Sequence, residues 1–499
     1  MLQTVRSHRG IVVAPHHQAA QAGLRVLEEG GNAIEAMVAA ASTIAVAYPH
    51  MNALGGDNFW LIHAPGQDVI GIDACGGAVS GWQEALRVSA EEWGGTLPVS
   101  RLLEDAAFLA EDGISVTRTQ AANTAAKMGE MKAAPGFAEI YLDQGKPWHE
   151  GARFRQPRLA ETLKALGQRG LDDFYRGELA RAIAADLERA GTPLRLADLA
   201  RHEALRVAPL MTEIAGHKVF NMPPPTQGLA SLILLAVFDR LGVGEAEGFD
   251  FVHGLVESTK RAFRVRDRHV TDPAYMDVDP ASFLQDHILD AMAADIDPTQ
   301  ALPRPEASSK GDTVWLGAID GEGRALSFIQ SIYWEFGSGV VLDETGITWQ
   351  NRGVSFSLDE AHHNALRPHR RPFHTIQPAL AQLSDGRVMP YGTMGGEGQP
   401  QTQAMLFSRH VLFGQDLQQA VTAPRWLLGR TWGAETSNLR MENRFDPGVI
   451  AALRAAGHDI EEIGAFDEVM GHAGALVRHP DGLLEGAADP RSDGQVAAF

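Results

Sequence analysis

Thr313 is the residue whose position most directly predicts chemistry. It lies at the start of the apolar strand "TVWLGAI", which an acidic, glycine-rich turn connects to a second apolar strand. Counting back from a three-residue turn at Gly321–Gly323 places Thr313 opposite Ser331. A four-residue turn places it opposite Gln330, with Ser331 one residue away. In either register the hairpin brings a second hydroxyl group close to Thr313.

A threonine becomes a nucleophile when its own α-amino group is free. A free α-amine has a pKa of about 7.7–8.0, so near neutral pH it can accept the hydroxyl proton without help from a histidine. Thr313 gains this amine only if the chain is cut after Asp312. The stretch 288–312 is rich in Ala, Pro, Ser and Asp, which predicts an exposed, flexible linker that tolerates a cut. Alone this pattern is weak, because threonine is common in strands.

The remaining segments must supply the elements that position this hairpin. Residues 16–48 predict two helices, the first ending at Gly30-Gly31 and the second capped by Asn32 and buried. Further along, the pattern predicts two strands within 52–75, mostly helices over 85–205, and a strand, a proline-rich bend and a buried helix over 217–242. A β-rich, glycine-rich segment follows the linker. Helices on both sides of strand-rich blocks predict a layered α/β fold, although length alone would favour about three domains.

Composition disfavours several classes of function. The net charge is −20, from 43 basic and 63 acidic residues, which disfavours binding to nucleic acid or to anionic lipid. Cys75 is the only cysteine, so an intrachain disulfide and a cysteine-based zinc site are excluded. The start has no apolar signal-peptide core, and no uncharged apolar stretch has the length of a membrane span. These features predict a cytoplasmic protein.

Two histidine-rich stretches contain residues that could bind a metal. Neither His16-His17 nor the segment 362–374 has the i, i+4 helical pairing of a zinc protease, and no acidic ligand is suitably spaced. The sequence "GTMGGEG" lacks the lysine of a phosphate-binding loop. We therefore expect no metal and no other cofactor.

An ordered series of motifs resembles the γ-glutamyltranspeptidase family of N-terminal-nucleophile hydrolases along almost the whole chain. The block 23–63 is similar to the opening helices and glycine pair of that family. The later motifs are "MPPPTQGL" (222–229), "FGSGVV" (336–341), "RPFHTIQP" (371–378), "GTMGGEG" (392–398) and "ADPRSDG" (488–494). The resemblance implies a proenzyme that cuts itself into a large subunit, 1–312, and a small one, 313–499. It also implies a four-layer αββα sandwich in which the two subunits interleave as one structural unit.

The same resemblance implies roles for individual residues. Thr313 would be the nucleophile of both self-cleavage, at the Asp312–Thr313 bond, and catalysis, and Ser331 would be the hydroxyl that supports it. Gly395 and Gly396 match the glycines that hold the oxyanion, whereas the pattern alone would predict an ordinary tight turn. A substrate-binding pair of serines in the family is replaced here by "HT", His374 and Thr375.

Departures from the family pattern concern the substrate. No arginine stands in "IDACGG", where Cys75 or a neighbour takes its place, and Tyr333 replaces an asparagine. Arg352 replaces a glutamine, and Ser355 replaces the aspartate that would hold an α-ammonium group. These residues predict a substrate with a carboxylate but no α-ammonium, such as oxamate or a glutaryl-type group. The alternative for Arg352 is a surface arginine stacked on Trp349 or Tyr333.

Two other functions remain open from the sequence. The first is γ-glutamyl transfer or hydrolysis, as in a glutathione hydrolase, and the second is an uncut, inactive homologue with a binding or structural role. The expected partners are a small amide substrate and the two subunits of one precursor, and a dimer of such heterodimers is also considered. A missing lid loop between Phe356 and Arg371 weakly favours hydrolysis.

Overall fold

The structure, a computed structural model, describes residues 3–303, 312–429 and 438–499. Two seven-stranded β-sheets form its centre. The first sheet contains, in spatial order, β1 (Val5–Ser7), β20 (Leu484–Ala488), β19 (Ala473–Arg478), β15 (Val388–Thr393), β14 (Ala379–Gln382), β11 (His217–Asn221) and β10 (Leu210–Ile214). The second contains β21 (Gln495–Ala498), β2 (Ile11–Ala14), β12 (Asp312–Ile319), β13 (Ala325–Tyr333), β3 (Asp57–His63), β4 (Ile70–Ala74) and β9 (Leu205–Val207).

Three small sheets of the described residues lie outside this centre. They are β16 (Trp426–Leu428), β17 (Leu439–Glu442) and β18 (Ile460–Ile463); β5 (Ile114–Ser115) with β8 (Arg153–Phe154); and β6 (Leu142–Asp143) with β7 (Lys146–Pro147).

Helices precede, connect and follow these strands. In the N-terminal part they are α1 (His17–Glu28), α2 (Ala33–Ala47), α3 (Ala78–Glu92), α4 (Val99–Leu102), α5 (Glu104–Asp112), α6 (Arg118–Met131), α7 (Phe137–Tyr141), α8 (Pro157–Arg169), α9 (Asp173–Arg176), α10 (Glu178–Arg189) and α11 (Leu196–Arg201). The later ones are α12 (Gly228–Arg240), α13 (Phe249–His269), α14 (Asp286–Ala294), α15 (Gly398–Phe407), α16 (Leu417–Thr422) and α17 (Pro447–Ala455).

Three hydrophobic cores separate four layers. Alternate residues of each sheet point to opposite faces. On β12, Val314 and Leu316 pack with α2 in an outer core, whereas Trp315 and Ile319 pack between the two sheets. A third core lies between the first sheet and helices α12, α13 and α15. The predicted four-layer αββα sandwich is therefore confirmed.

Helix α2 forms the buried layer against the second sheet, as predicted. Asn32 caps it, because its side chain accepts hydrogen bonds from the backbone N–H groups of Ile34 and Glu35, while the Glu35 side chain accepts from the N–H of Asn32. All residues of the helix are buried, so the whole helix surface contributes to packing. The two predicted helices and the strands of 52–75 and 217–221 are likewise confirmed.

The β12–β13 hairpin has the register predicted for the three-residue turn. Val314 pairs with Gln330, and a bulge follows before the next pair, at residues 312 and 333. The bulge leaves Thr313 opposite a widened stretch of β13 that begins with Ser331. The other neighbour of β13 is β3, so Ser331 also lies across from Asp57.

The linker prediction was partly wrong. Helix α14 covers 286–294, so the first part of the expected linker is regular structure. Its apolar residues, of which Leu289 is buried, pack against the core of α12 and α13 and stabilise a helix that local composition did not predict. Residues 295–303 contain no helix or strand, and residues 304–311 of the predicted linker lie outside the described residues.

Both central sheets contain strands from before and after the predicted cut. In the second sheet β12 lies between β2 and β13, and in the first sheet β14 lies beside β11. The described part of the chain contains no helix with the length and apolar character that a membrane crossing requires.

Candidate active site

The hydroxyl group of Ser331 is held in one orientation beside Thr313. Both residues are fully buried in the uncut chain. The Tyr333 backbone N–H donates to Ser331 Oγ at 2.8 Å, and Arg352 Nη2 lies 3.4 Å from the same oxygen. Tyr333 adopts φ +81°, in the left-handed region that costs a bulky residue energy. The bulge and the strained Tyr333 backbone both lie at the end of β13, beside Ser331.

Arg352 is buried, so the surface position that the alternative interpretation gave it is wrong. Its side chain is 3% exposed and lies in a short 3₁₀ turn that ends at Ser355. The guanidinium stacks 4.1 Å from the centre of the Tyr333 ring, as the alternative interpretation had it. Its Nε donates to Asp57 at 2.9 Å. Its Nη1 is also buried but has no hydrogen-bond partner among the described residues, and such a donor is costly unless a ligand meets it.

Asp57 is one of the site residues that sequence reasoning missed. Besides Arg352, its carboxylate accepts from the Gly76 backbone N–H at 2.5 Å and lies 3.4 Å from His374 Nε2. Burial favours a raised pKa for Asp57, but the charges of Arg352 and His374 outweigh it and hold the pKa below the usual range. The available signal was an acidic residue directly after two glycines, at the start of a strand with an apolar centre.

His374 and Thr375 enter the site from the segment before β14. Nδ1–H of His374 donates to the Pro372 carbonyl at 2.8 Å, which directs Nε2 towards Asp57. The hydroxyl of Thr375 is fully buried and has no partner among the described residues. It is therefore a second polar group available to a ligand.

Gly395 and Gly396 form the bend between β15 and α15. Their φ angles are +117° and +53°, so at least Gly395 requires glycine. Gln227 ties this bend to the previous segment, because its Nε2 donates to the carbonyls of Gly396 at 2.8 Å and Thr375 at 2.6 Å. Arg266 in turn donates to Gln227 Oε1 at 3.0 Å. The sequence prediction did not include Gln227 or Arg266.

A cavity of about 340 Å³ opens beside this network. Tyr333, Trp334, Ser355 and Phe373 are among its lining residues. The Ser355 hydroxyl donates to the Arg352 carbonyl at 2.9 Å, so it contributes to the wall and holds the turn that carries Arg352. The volume suits a small substrate.

Cys75 is not equipped to act as a nucleophile. Burial, followed by the nearby charges of Asp73 and Asp57, raises the pKa of its thiol well above the usual value. A thiolate is therefore disfavoured, and the thiolate is the reactive form. Asp73 is itself engaged, with Arg371 Nη1 at 2.6 Å and the Cys75 backbone N–H at 2.9 Å.

Asp57, Cys75 and His374 also form a group of metal-ligand types. Both oxygens of Asp57 already accept hydrogen bonds, and Nδ1 of His374 is occupied by a backbone carbonyl. The guanidinium of Arg352 adjoins the same carboxylate and would repel a cation. The arrangement is better suited to a negatively charged ligand.

Comparisons with known proteins identify the family of the chain. The family model described as gamma-glutamyltranspeptidase matches residues 19–84 and 74–499. An oxamate amidohydrolase proenzyme of Klebsiella pneumoniae is 52% identical, with 99% of each chain covered. A glutathione hydrolase-like proenzyme of Bacillus subtilis is 37% identical over the full length of both chains. The crystal structure of a cephalosporin acylase from Bacillus halodurans superposes with a TM-score of 0.91 at 32% identity, covering 100% of this chain and 97% of that one.

These similarities extend over the whole chain and include the segments that carry the site. The predicted enzyme class is confirmed, whereas the roles of the individual residues remain predictions. The chain belongs to the gamma-glutamyltranspeptidase family and is an N-terminal-nucleophile amidohydrolase.

Proposed function

We propose that the chain is a precursor that cuts itself between Asp312 and Thr313, and that Thr313 then hydrolyses a small amide bearing a carboxylate, such as oxamate. The pieces would be 1–312 and 313–499. The interleaved strands support this proposal, because both sheets contain strands from each piece and would hold them together after the cut.

The first reaction turns the precursor into the enzyme. The Thr313 hydroxyl oxygen attacks the carbonyl carbon of Asp312, and the C–N bond breaks as the nitrogen gains a proton. Water then hydrolyses the ester that links the two pieces. The α-amine of Thr313 is thereby free to serve as the base of the second reaction.

The second reaction uses the same oxygen on the substrate. As Thr313 Oγ attacks the amide carbonyl, its proton passes to the α-amine, and the N–H groups of Gly395 and Gly396 would stabilise the oxyanion. The C–N bond breaks, and ammonia leaves with that proton. Water hydrolyses the remaining ester, which for oxamate releases oxalate and frees Thr313.

The observation that carries the substrate class is the buried Nη1 of Arg352, for which the described residues provide no hydrogen-bond partner. A carboxylate is the ligand that best satisfies a guanidinium nitrogen, and the Thr375 hydroxyl offers a second donor. The carboxylates that the structure describes near the site are engaged: Asp57 and Asp73 accept hydrogen bonds from other groups. Asp267, which lines the cavity, accepts from Arg266 Nε at 2.7 Å, so these carboxylates are less available to an α-ammonium group. The site therefore favours an acid amide over a γ-glutamyl group.

Substrate choice is tested by comparing ammonia release from oxamate with nitroaniline release from γ-glutamyl-nitroanilide. We expect oxamate to be turned over faster, and faster turnover of the γ-glutamyl compound would overturn the proposal in favour of glutathione-type chemistry. Arg352→Lys keeps the charge beside Asp57 but loses the planar fork, so we expect kcat/KM for oxamate to fall roughly 10- to 100-fold.

Two controls accompany that variant. Arg367→Lys changes an exposed arginine of the same loop and should leave kcat/KM unchanged. Propionamide has no carboxylate, so its slow turnover should be equal in the unmodified and Arg352→Lys enzymes. Equal losses for both substrates would show that Arg352 maintains the site without recognising the carboxylate.

Self-cleavage is tested by denaturing electrophoresis and N-terminal sequencing. We expect two bands, the smaller beginning at Thr313, and one uncut band in Thr313→Ala. A single band from the unmodified chain would support the inactive homologue instead. Turnover by purified Thr313→Ala protein would contradict the proposed nucleophile.

A further inference from the structure

A buried ionic cluster on α13 has no part in the proposed reaction. Glu257, Lys260 and Arg261 occupy neighbouring positions of one helix face, and none is more than 4% exposed. Lys260 Nζ lies 2.6 Å from one oxygen of Glu257, and Arg261 Nη1 lies 2.5 Å from the other. Burying three charged groups is costly, so additional contacts must compensate the two cations and the one anion.

Those contacts go to the backbone just ahead of the predicted cut. Lys260 Nζ donates to the carbonyl of Leu302 at 2.7 Å, and Arg261 Nη2 donates to the carbonyl of Asp295 at 2.6 Å. His253, one turn earlier on the same helix, donates from Nε2 to the carbonyl of Asp297 at 2.8 Å. Three side chains of one helix thus bind three carbonyls of a segment that has no helix or strand of its own.

The small piece contributes to the same arrangement. His253 Nδ1 lies 2.8 Å from His458 Nε2, so a hydrogen bond joins α13 to the small piece. Burial, and then the charges of Lys260 and His253, lower the pKa of His458 to about 4, which keeps it neutral near pH 7. The Ala301 backbone N–H also donates to the Ala456 carbonyl at 2.8 Å.

The group His253, Glu257 and His458 has the residue types of a metal site. Its donors are engaged, however, because Glu257 binds two cationic side chains and the imidazoles bind each other. A divalent cation would have to displace Lys260 and Arg261. The cluster is better explained by its carbonyl ligands than by a metal.

The three carbonyls lie shortly before the proposed cut, and this position suggests a role for the cluster in self-cleavage. Leu302 is the residue nearest the cut among the described residues whose carbonyls the cluster holds. Strand β12 begins at Asp312, whose carbonyl carbon is the one attacked in the proposed cut. Holding the carbonyls of Asp295, Asp297 and Leu302 restricts the backbone of the described segment that precedes the scissile bond. Reactions of this kind are sensitive to placement at the level of about 1 Å, which can change a rate by roughly 100-fold.

We propose that His253, Lys260 and Arg261 form a carbonyl clamp that positions the chain for self-cleavage before Thr313. The inference rests on the proposed function, since it assigns positioning residues to its first reaction. It separates the requirements of maturation from those of amide hydrolysis. The clamp contacts the precursor segment and touches none of the residues assigned to the substrate.

The test measures self-cleavage and mature activity separately in Lys260→Met and Arg261→Met. Full-length chains are made by cell-free translation in a short labelling pulse, and the conversion of precursor to two bands is followed with time. We expect conversion at least about tenfold slower than in the unmodified chain, and restoration in Lys260→Arg, which keeps a cationic donor. The fraction that does mature should hydrolyse oxamate with kcat/KM within about twofold of the unmodified enzyme.

Arg240→Met is the matched control, because that guanidinium binds the side chains of Asp286 and Asp290 on α14 and none of the three clamped carbonyls. It should mature at the unmodified rate. If both clamp variants matured at the rate of the unmodified chain, the clamp proposal would be overturned. Equal losses of maturation rate and of mature kcat/KM would also overturn it, because they would indicate a general structural role. If the unmodified chain is never cut before Thr313, the proposed function itself fails, and this result is visible without any variant.

Discussion

At the scale of single residues, the site depends on one carboxylate that does not react. Asp57 holds the guanidinium of Arg352 from one side while Tyr333 stacks on it from the other. The same carboxylate faces His374, and Ser331 lies opposite it across the strand pair. We infer that Asp57 fixes the residues on which the nucleophile and the substrate both depend, because a buried ion pair is directional when its remaining hydrogen bonds are satisfied.

Asp57→Asn is expected to impair both stability and catalysis. An amide can accept from either Gly76 or Arg352 but cannot provide two carboxylate oxygens, and it leaves the buried guanidinium uncompensated. Removing one partner of a buried pair costs about 3–5 kcal/mol, so the melting temperature and kcat/KM should both fall clearly. The measurements are calorimetry and oxamate turnover.

Asp343→Asn is the control for that change. Asp343 also binds an arginine, Arg158, but their side chains are 71% and 41% exposed. Exposed pairs contribute about 0–1 kcal/mol, so this variant should be close to the unmodified protein. Equal effects in the two variants would contradict the organising role of Asp57.

At the scale of elements, sequence patterns predicted the features that depend on residues close together in the chain. The hairpin, the Asn32 cap and the burial of α2 all depend on residues close in sequence, and all are confirmed. Of the two hairpin registers left open by the sequence, the structure has that of the three-residue turn. The Asp57–Arg352 pair joins residues 295 positions apart, and no periodicity or turn signal specifies such a contact. Helix α14 was missed for the same reason, since packing against α12 and α13 stabilises it more than its own composition does.

The two glycines before Asp57 are explained by close approach between elements. A methyl group on Gly56 would overlap the carbonyl oxygen of Ser331, and one on Gly55 would overlap that of Thr348. Only glycine therefore lets the start of β3 lie against the bulged end of β13. The glycine pair seen in the sequence is a packing requirement of the active site.

Gly56→Ala should consequently separate β3 from β13 and displace Asp57. We expect a destabilisation of about 1–3 kcal/mol from overpacking, together with a loss of oxamate turnover larger than the change in stability alone would cause. Gly129→Ala, in α6, is the control, because its added methyl group has open space and alanine favours helix. Normal turnover by Gly56→Ala would show that the close approach is not required.

At the scale of the whole molecule, the strands of the two pieces alternate within both central sheets, and this arrangement determines how a cut before Thr313 would affect the structure. Strands β2, β3 and β11 precede residue 312, while their partners β12, β13 and β14 follow it. The cores between the layers likewise combine residues from both sides of that position. Cleavage before Thr313 would therefore change the covalent chain while leaving every sheet and core in place.

Stability of the whole molecule should also depend on pH through buried histidines. The pKa values of His63 and His472 are lowered to about 4, mainly because burial disfavours the charged imidazolium. Unfolded histidine binds its proton near pH 6.5, so acidification below that value favours the unfolded state until the folded pKa is reached. The stabilisation is therefore complete above about pH 6.5 and is lost progressively towards pH 4.

His63→Gln tests this dependence because it removes one such group. Between about pH 7 and pH 4.5, a shift of this size changes the free energy of unfolding by about 2.5 kcal/mol, so the variant's melting temperature should fall less over that range than that of the unmodified protein. His287→Gln, at an exposed position of α14, should show the unmodified difference. The change in melting temperature between the two pH values is compared for His63→Gln and the unmodified chain, so the contributions of the other titrating groups cancel. Equal changes in the two proteins would contradict the lowered pKa of His63.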